Sequence, residues 1–106
     1  MDKSRALRIA SDYVNHLIAK KNIEVKGAYL FGSYAKGTQT EFSDIDIAVI
    51  IPNSCDTFDM QVQLMLLARG FSLDIEPHPI KADDFSPSNP MAYEIMKTGI
   101  ALSGLA

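Results

Sequence analysis

An apolar run from Ile45 to Ile51, interrupted only by Asp46, constrains the fold of this chain more than any other feature. Its β-branched content and the turn residues that follow it predict a strand. Alternate side chains of a strand point to opposite faces, so one face is wholly apolar, while the other begins with Asp44 and Asp46 and becomes apolar beyond them. Such a strand is buried on both faces. The two carboxylates therefore lie at the N-terminal end of a buried strand.

Hydrophobic spacing and turn residues predict five further elements. The predicted order is helix, strand, strand, helix, strand, helix, over residues 3–21, 25–31, 45–51, 55–69, 71–78 and 90–98. In the second helix we expect Ser54 or Asp56 as the cap, and the expected core positions are Phe58, Val62, Met65 and Leu66. No repeat or linker is visible. The sequence predicts one small α/β domain spanning residues 1–106.

Composition and charge narrow the class of protein. The chain is 47% hydrophobic and carries a net charge of −3, which fits a globular domain and argues against direct nucleic-acid binding. The longest apolar run is far shorter than the roughly 20 residues that span a bilayer, and the N-terminus lacks the apolar core of a signal peptide. We expect a cytoplasmic protein without membrane contact.

Two features that nucleotide chemistry requires, a turn that can bind phosphate and a pair of carboxylates, follow one another in the sequence. Gly32 and Ser33 come directly after the first predicted strand, where a glycine lets a phosphate approach backbone N–H groups and a hydroxyl can bind its oxygens. Asp44 and Asp46 share one strand face about 6.5–7 Å apart and can hold one or two hard divalent cations. Nucleotidyl transfer requires cations of this kind, because they neutralise the negative charge of the triphosphate.

The third predicted strand offers a further carboxylate. Asp74 and Glu76 are two residues apart and face the same way, and the pattern alone favours Asp74 because it lies between Leu73 and Ile75. His78 would continue that face, but a lone histidine between two prolines indicates a structural residue.

The segment from Phe31 to Asp46 resembles the signature of the nucleotidyltransferase superfamily related to DNA polymerase beta. The residues that carry the resemblance are Gly32, Ser33, Gly37, Ser43, Asp44 and Asp46. The short chain is similar to the minimal nucleotidyltransferase branch, whose members are antitoxins paired with helical HEPN toxins. Lys36 stands where many relatives have arginine, and a looser likeness around Glu76 makes that residue a competitor of Asp74 as the third acid.

The resemblance implies a mixed sheet of three or four strands flanked by helices, with ATP as substrate and two Mg²⁺ ions. It implies catalytic roles for Asp44, Asp46, Asp74 and Glu76, metal binding by Asp44, Asp46 and Asp74, and nucleotide binding by Gly32, Ser33, Lys36 and Ser43.

Three functions remain open on this basis. The first is transfer of AMP from ATP to a hydroxyl, such as a tyrosine, of a cognate HEPN toxin, so that the chain acts as an antitoxin. The second is a non-catalytic antitoxin that neutralises its toxin by binding. The third is a transferase that modifies a small molecule or a nucleic acid together with another subunit. For a protein partner, we expect an exposed Tyr34 and the loop from Thr38 to Phe42 to form the contact surface.

Overall fold

The computed structural model describes residues 1–102, which form a four-stranded sheet and four helices. The strands are β1 (Gly27–Phe31), β2 (Ile45–Ile51), β3 (Ile75–Lys81) and β4 (Ile100–Ala101). Strand β2 lies inside the sheet, whose order is β3-β2-β1-β4. It runs parallel to β3 and antiparallel to β1, and β1 is also antiparallel to β4. The mixed sheet expected from the sequence is confirmed. The elements are α1 (Lys3–Ala19), β1 (Gly27–Phe31), α2 (Ser33–Lys36), β2 (Ile45–Ile51), α3 (Thr57–Ala68), β3 (Ile75–Lys81), a 3₁₀ turn (Ala82–Asp84), α4 (Pro90–Thr98) and β4 (Ile100–Ala101).

Both faces of β2 are covered, as its apolar pattern predicts. On one face Ile45, Ile47, Val49 and Ile51 are fully buried in a cluster with residues of α1 and α3. On the other face Ala48 and Ile50 pack in a second cluster with Ile95 of α4. Asp46 lies on this second face, near the beginning of β2 and before Ala48 and Ile50. Its carboxylate therefore lies at the end of the apolar packing.

Side-chain caps fix the beginnings of the three long helices. The Asp2 carboxylate accepts a hydrogen bond from Arg5 N at 2.8 Å, and the Asn89 side chain accepts from two backbone N–H groups of α4. Of the two caps considered for α3, Asp56 is the one observed, accepting from Asp59 N at 3.0 Å. No helix within residues 1–102 is long and apolar enough to cross a membrane.

The third strand differs from the predicted range 71–78. It begins at Ile75, because Phe71 N and Ser72 N both donate to Ala68 O and continue the helix end as a turn. It then runs through Pro77 to Lys81. Prolines are tolerated here because β3 lies at the edge of the sheet, with β2 on one side only.

The expected core positions of α3 are largely wrong. Phe58, Val62 and Leu66 are 75%, 44% and 68% exposed, whereas Leu64 and Ala68 are buried against the sheet. Of the four expected positions, Met65 alone is partly buried. The helix carries apolar residues on nearly every side, so their spacing does not identify the buried face.

Candidate active site

Gly32 connects β1 to α2 in a backbone conformation that strongly favours glycine. Its φ angle is +76°, and a Cβ atom at this position would overlap Asp46 Oδ2. Where the sequence predicts a tight turn, the chain forms the four-residue helix α2, which begins at Ser33 and ends at Lys36, before Gly37. The Gly32 turn and the side chain of Asp46 are thus neighbours in the fold, although Asp46 comes 14 positions later in the sequence.

Strand register brings the acidic residues together. Asp46 pairs with Phe31 of β1 and with Glu76 of β3, so its side chain and that of Glu76 lie side by side on one face of the sheet. Asp44 comes immediately before β2, and its side chain is close enough to Glu76 to raise the pKa of that carboxyl.

The electrostatics of this cluster are those of crowded negative charges. Burial and the hydrogen bond with Asp44 raise the pKa of Glu76, and the charges of Asp44 and Asp46 raise it further, while His78 lowers it. We refer to Asp44, Asp46 and Glu76 as the acidic cluster.

Asp74 lies outside the acidic cluster. It is exposed in the turn before β3, and its contribution to the site is a backbone one: Asp74 O accepts a hydrogen bond from Ile45 N at 2.8 Å. That bond fixes the beginning of β2 against the beginning of β3. Of the two acids left open by the sequence, Glu76 is the one that the structure brings beside Asp46.

The remaining predicted site residues, Ser33, Lys36 and Ser43, lie in α2 and in the loop between α2 and β2. Lys36, at the end of α2, forms an ion pair with Glu94 of α4. Ser43 shapes the loop before Asp44, since its Oγ accepts from Thr40 N at 2.9 Å. Ser33 is half-buried at the first position of α2. Glu94 carried no signal in the sequence, because it lies far from the motif.

Two ring-bearing residues near the motif compare differently with the sequence: Tyr34 lies in the core instead of at the surface, whereas His78 continues the face of Glu76 as its alternation predicts. Tyr34 is 1% exposed and packs in the main core, so the expectation of an exposed contact residue is wrong; α2 turns its side chain inward. His78 Nε2 lies 3.2 Å from Asp46 Oδ1, which places this residue beside the acidic cluster. Phe42, in the loop before Asp44, is 86% exposed.

The donor chemistry of the acidic cluster fits a hard divalent cation. Within residues 1–102, no three His, Cys, Asp or Glu side chains are already gathered as a ligand set. Carboxylate oxygens are nevertheless the ligands that Mg²⁺ takes, together with water and substrate phosphates. The mutual repulsion that raises the pKa of Glu76 is the kind of negative charge that a bound cation would offset.

Comparison with known proteins identifies the family of this chain. The family model described as "Polymerase beta, Nucleotidyltransferase" matches residues 16–104. Protein adenylyltransferase MntA of Shewanella oneidensis is 33% identical over 76 residues, which cover 72% of this chain and 52% of MntA. A relative from Methanocaldococcus jannaschii is 42% identical over 50 residues, 47% of each protein. The chain thus spans about half the length of these curated relatives.

Two solved structures share the fold. A toxin–antitoxin crystal structure with AMP-PNP superposes with a TM-score of 0.63 at 30% identity, covering 89% of this chain and 73% of that one. The toxin–antitoxin MntA–HpeT, crystallised with a tyrosine-to-alanine substitution, gives a TM-score of 0.61 at 28% identity, with coverage of 88% and 71%. The family match extends over most of the sequence and includes the turn, both aspartates and β3, and this chain belongs to the polymerase beta nucleotidyltransferase family.

Proposed function

We propose that this chain is a protein adenylyltransferase that acts as an antitoxin in the cytoplasm, transferring AMP from ATP to a tyrosine hydroxyl of a cognate HEPN toxin. The observation that carries the proposal is the meeting of Asp44, Asp46 and Glu76 directly beside the Gly32 turn. The relative named protein adenylyltransferase and the solved toxin–antitoxin complexes, one of them with AMP-PNP, support it.

The Gly32 turn would receive the triphosphate. Gly32 has no side chain, so the backbone stays open to phosphate oxygens, and Ser33 adds a hydroxyl at the same turn. Lys36 supplies a positive point charge, and its present partner Glu94 is half-exposed, so exchanging that ion pair for phosphate costs little. Ser43 would stabilise the loop before Asp44 through its hydrogen bond with Thr40 N and so help to position Asp44.

The acidic cluster would hold two Mg²⁺ ions, with Glu76 rather than the exposed Asp74 as the third acid. The ions neutralise the triphosphate when bound. In the reaction, the acceptor oxygen forms a bond to the α-phosphorus, the bond from that phosphorus to the bridging oxygen breaks, and pyrophosphate leaves. The hydroxyl proton passes to a carboxylate of the cluster or to solvent.

The acceptor would be presented by the partner protein. Asp44 is exposed and Asp46 keeps 26% of its side chain exposed, so the acidic cluster is open to a docking protein. The loop from Thr38 to Phe42 flanks that opening, and Phe42 takes the anchoring role expected of Tyr34. AMP on a toxin side chain would block its active site with bulk and negative charge.

Mass spectrometry of the toxin after co-expression tests this function. We expect added AMP, about 329 Da per unit as a covalent modification, and its loss when Asp46→Asn replaces the wild-type chain. A tight, silenced complex without any added mass would instead support neutralisation by binding alone.

A further inference from the structure

His78 makes the one side-chain hydrogen bond recorded for Asp46 within residues 1–102. The distance from His78 Nε2 to Asp46 Oδ1 is 3.2 Å. A carboxylate can only accept hydrogen bonds, so a hydrogen bond between these two atoms requires the tautomer of His78 in which Nε2 carries the proton. The contact joins β3 to β2 across 32 residues of sequence.

The imidazole ring is held from several directions. His78 pairs in register with Ala48 of β2, two residues beyond the Asp46–Glu76 pair, so its side chain lies on the same face as both acids. The ring packs edge-on against Phe31, with 5.1 Å between ring centroids and an interplanar angle of 67°. Only 24% of the side chain is exposed. A ring packed in this way presents its N–H in a fixed direction.

The two oxygens of Asp46 consequently have different surroundings. Oδ1 accepts the hydrogen bond from His78, while Oδ2 is the oxygen that approaches the backbone of Gly32. Without the histidine, rotation of the carboxylate about χ2 would interchange or tilt the two oxygens. Carboxylates that bind metals are commonly held by such outer hydrogen bonds, and losing one typically weakens metal affinity or activity 10–100-fold.

We propose that His78 is a positioning residue: it anchors Asp46 through Oδ1 so that Oδ2 alone is presented to a divalent cation at the Gly32 turn. This inference rests on the proposed function and assigns a role to a residue outside the nucleotidyltransferase motif. It requires the N–H donor of the ring, whereas a purely structural role would require only the ring's volume against Phe31.

Three variants separate these roles. His78→Gln keeps an N–H donor, and His78→Met has a similar length without a donor. His78→Phe keeps an aromatic ring against Phe31, again without a donor. Binding of Mn²⁺ in the presence of a non-hydrolysable ATP analogue is measured by electron paramagnetic resonance of the free ion, and folding is followed by thermal unfolding without ligand.

We expect His78→Phe and His78→Met to weaken Mn²⁺ binding by about 10–100-fold and His78→Gln to stay within about threefold of wild type. The variants should unfold within about 4 °C of wild type; if His78→Phe does not fold, the Gln and Met pair decides alone.

Three results would overturn the inference. If wild type binds Mn²⁺ and all variants bind equally well, positioning by His78 is wrong while the proposed function stands. If Gln loses as much affinity as Met, ring packing is responsible. If wild type binds no Mn²⁺ with the analogue, the proposed function fails together with the inference.

Discussion

Gly32 combines a left-handed backbone conformation with close contact to a functional carboxylate. Gly37 shares the first property, with φ +79°, but has nothing within 4 Å of the place where a Cβ atom would stand. The two glycines that bracket α2 therefore form a natural pair for separating backbone strain from an effect on the site.

We expect both Gly32→Ala and Gly37→Ala to lower the free energy of unfolding by about 1–2 kcal/mol, the cost of a left-handed conformation for an L-residue. Only Gly32→Ala should also abolish nucleotide binding, because its Cβ displaces Asp46 Oδ2. Chemical denaturation and calorimetry with an ATP analogue measure the two effects. Equal nucleotide affinities in the two variants would show that Gly32 is required for the turn alone.

Glu76 should impose a pH dependence on stability. The pKa of Glu76 is raised in the folded state above the ordinary value of 4.5, so at pH values between the two the folded chain binds more protons than the unfolded chain. The free energy of unfolding therefore falls as the pH rises from 4.5 through the folded-state pKa. Glu76→Gln should remove this fall and gain stability relative to wild type at the upper end of the window.

Urea unfolding at a series of pH values checks this expectation. Asp74→Asn is the control, because Asp74 is exposed outside the acidic cluster. A wild-type profile that Glu76→Gln leaves unchanged would contradict the crowding of charge around Glu76.

Element boundaries were predictable wherever local signals agreed. The range of β2 and that of α4 match the sequence prediction, since a β-branched run or an Asn-Pro cap defined their ends. The buried face of α3 was not predictable, because this helix carries apolar residues of its own on nearly every side. The short β4 has only two residues and exists through pairing with β1, a long-range contact that no local pattern records.

Two leucines of α3 test which face is buried. Leu64 is fully buried and Leu66 is 68% exposed. Leu64→Ala should cost about 2–5 kcal/mol through lost burial and a cavity, while Leu66→Ala should change the free energy of unfolding by less than about 0.5 kcal/mol. Denaturant titration measures both. A comparable loss in the two variants would mean that α3 is rotated relative to this description.

For the chain taken together, the sequence predicted the class of fold but left Asp74 and Glu76 open as the third acid. Which of the two lies beside Asp46 depends on the register of two parallel strands joined through α3, and in that register Glu76 pairs with Asp46. The same register brings His78 to Asp46. Alternation along one strand cannot reveal which residue of a neighbouring strand stands beside it.

Two exposed phenylalanines distinguish the faces available to a partner. Phe42 is 86% exposed beside the acidic cluster, and Phe58 is 75% exposed on α3. If the proposed toxin docks at the acidic cluster, Phe42→Ala should weaken its binding by about tenfold or more, as loss of an aromatic anchor does, and Phe58→Ala should leave it unchanged. Titration of the purified proteins gives both dissociation constants. The opposite order would assign docking to the outer face of α3.

The internal position of β2 has a consequence for local opening of the chain. Both edges of this strand are paired, so its amide hydrogens exchange with solvent only when the sheet as a whole comes apart. Asp46 therefore stays in place as long as the molecule is folded. The short helix α2, between Gly32 and Gly37, is anchored in the main core as well, because Tyr34 is 1% exposed there, in one cluster with Ile45 and Ile47. The Gly32 turn and Asp46 are therefore held by the same core, and a change that loosens this core would disturb both at once.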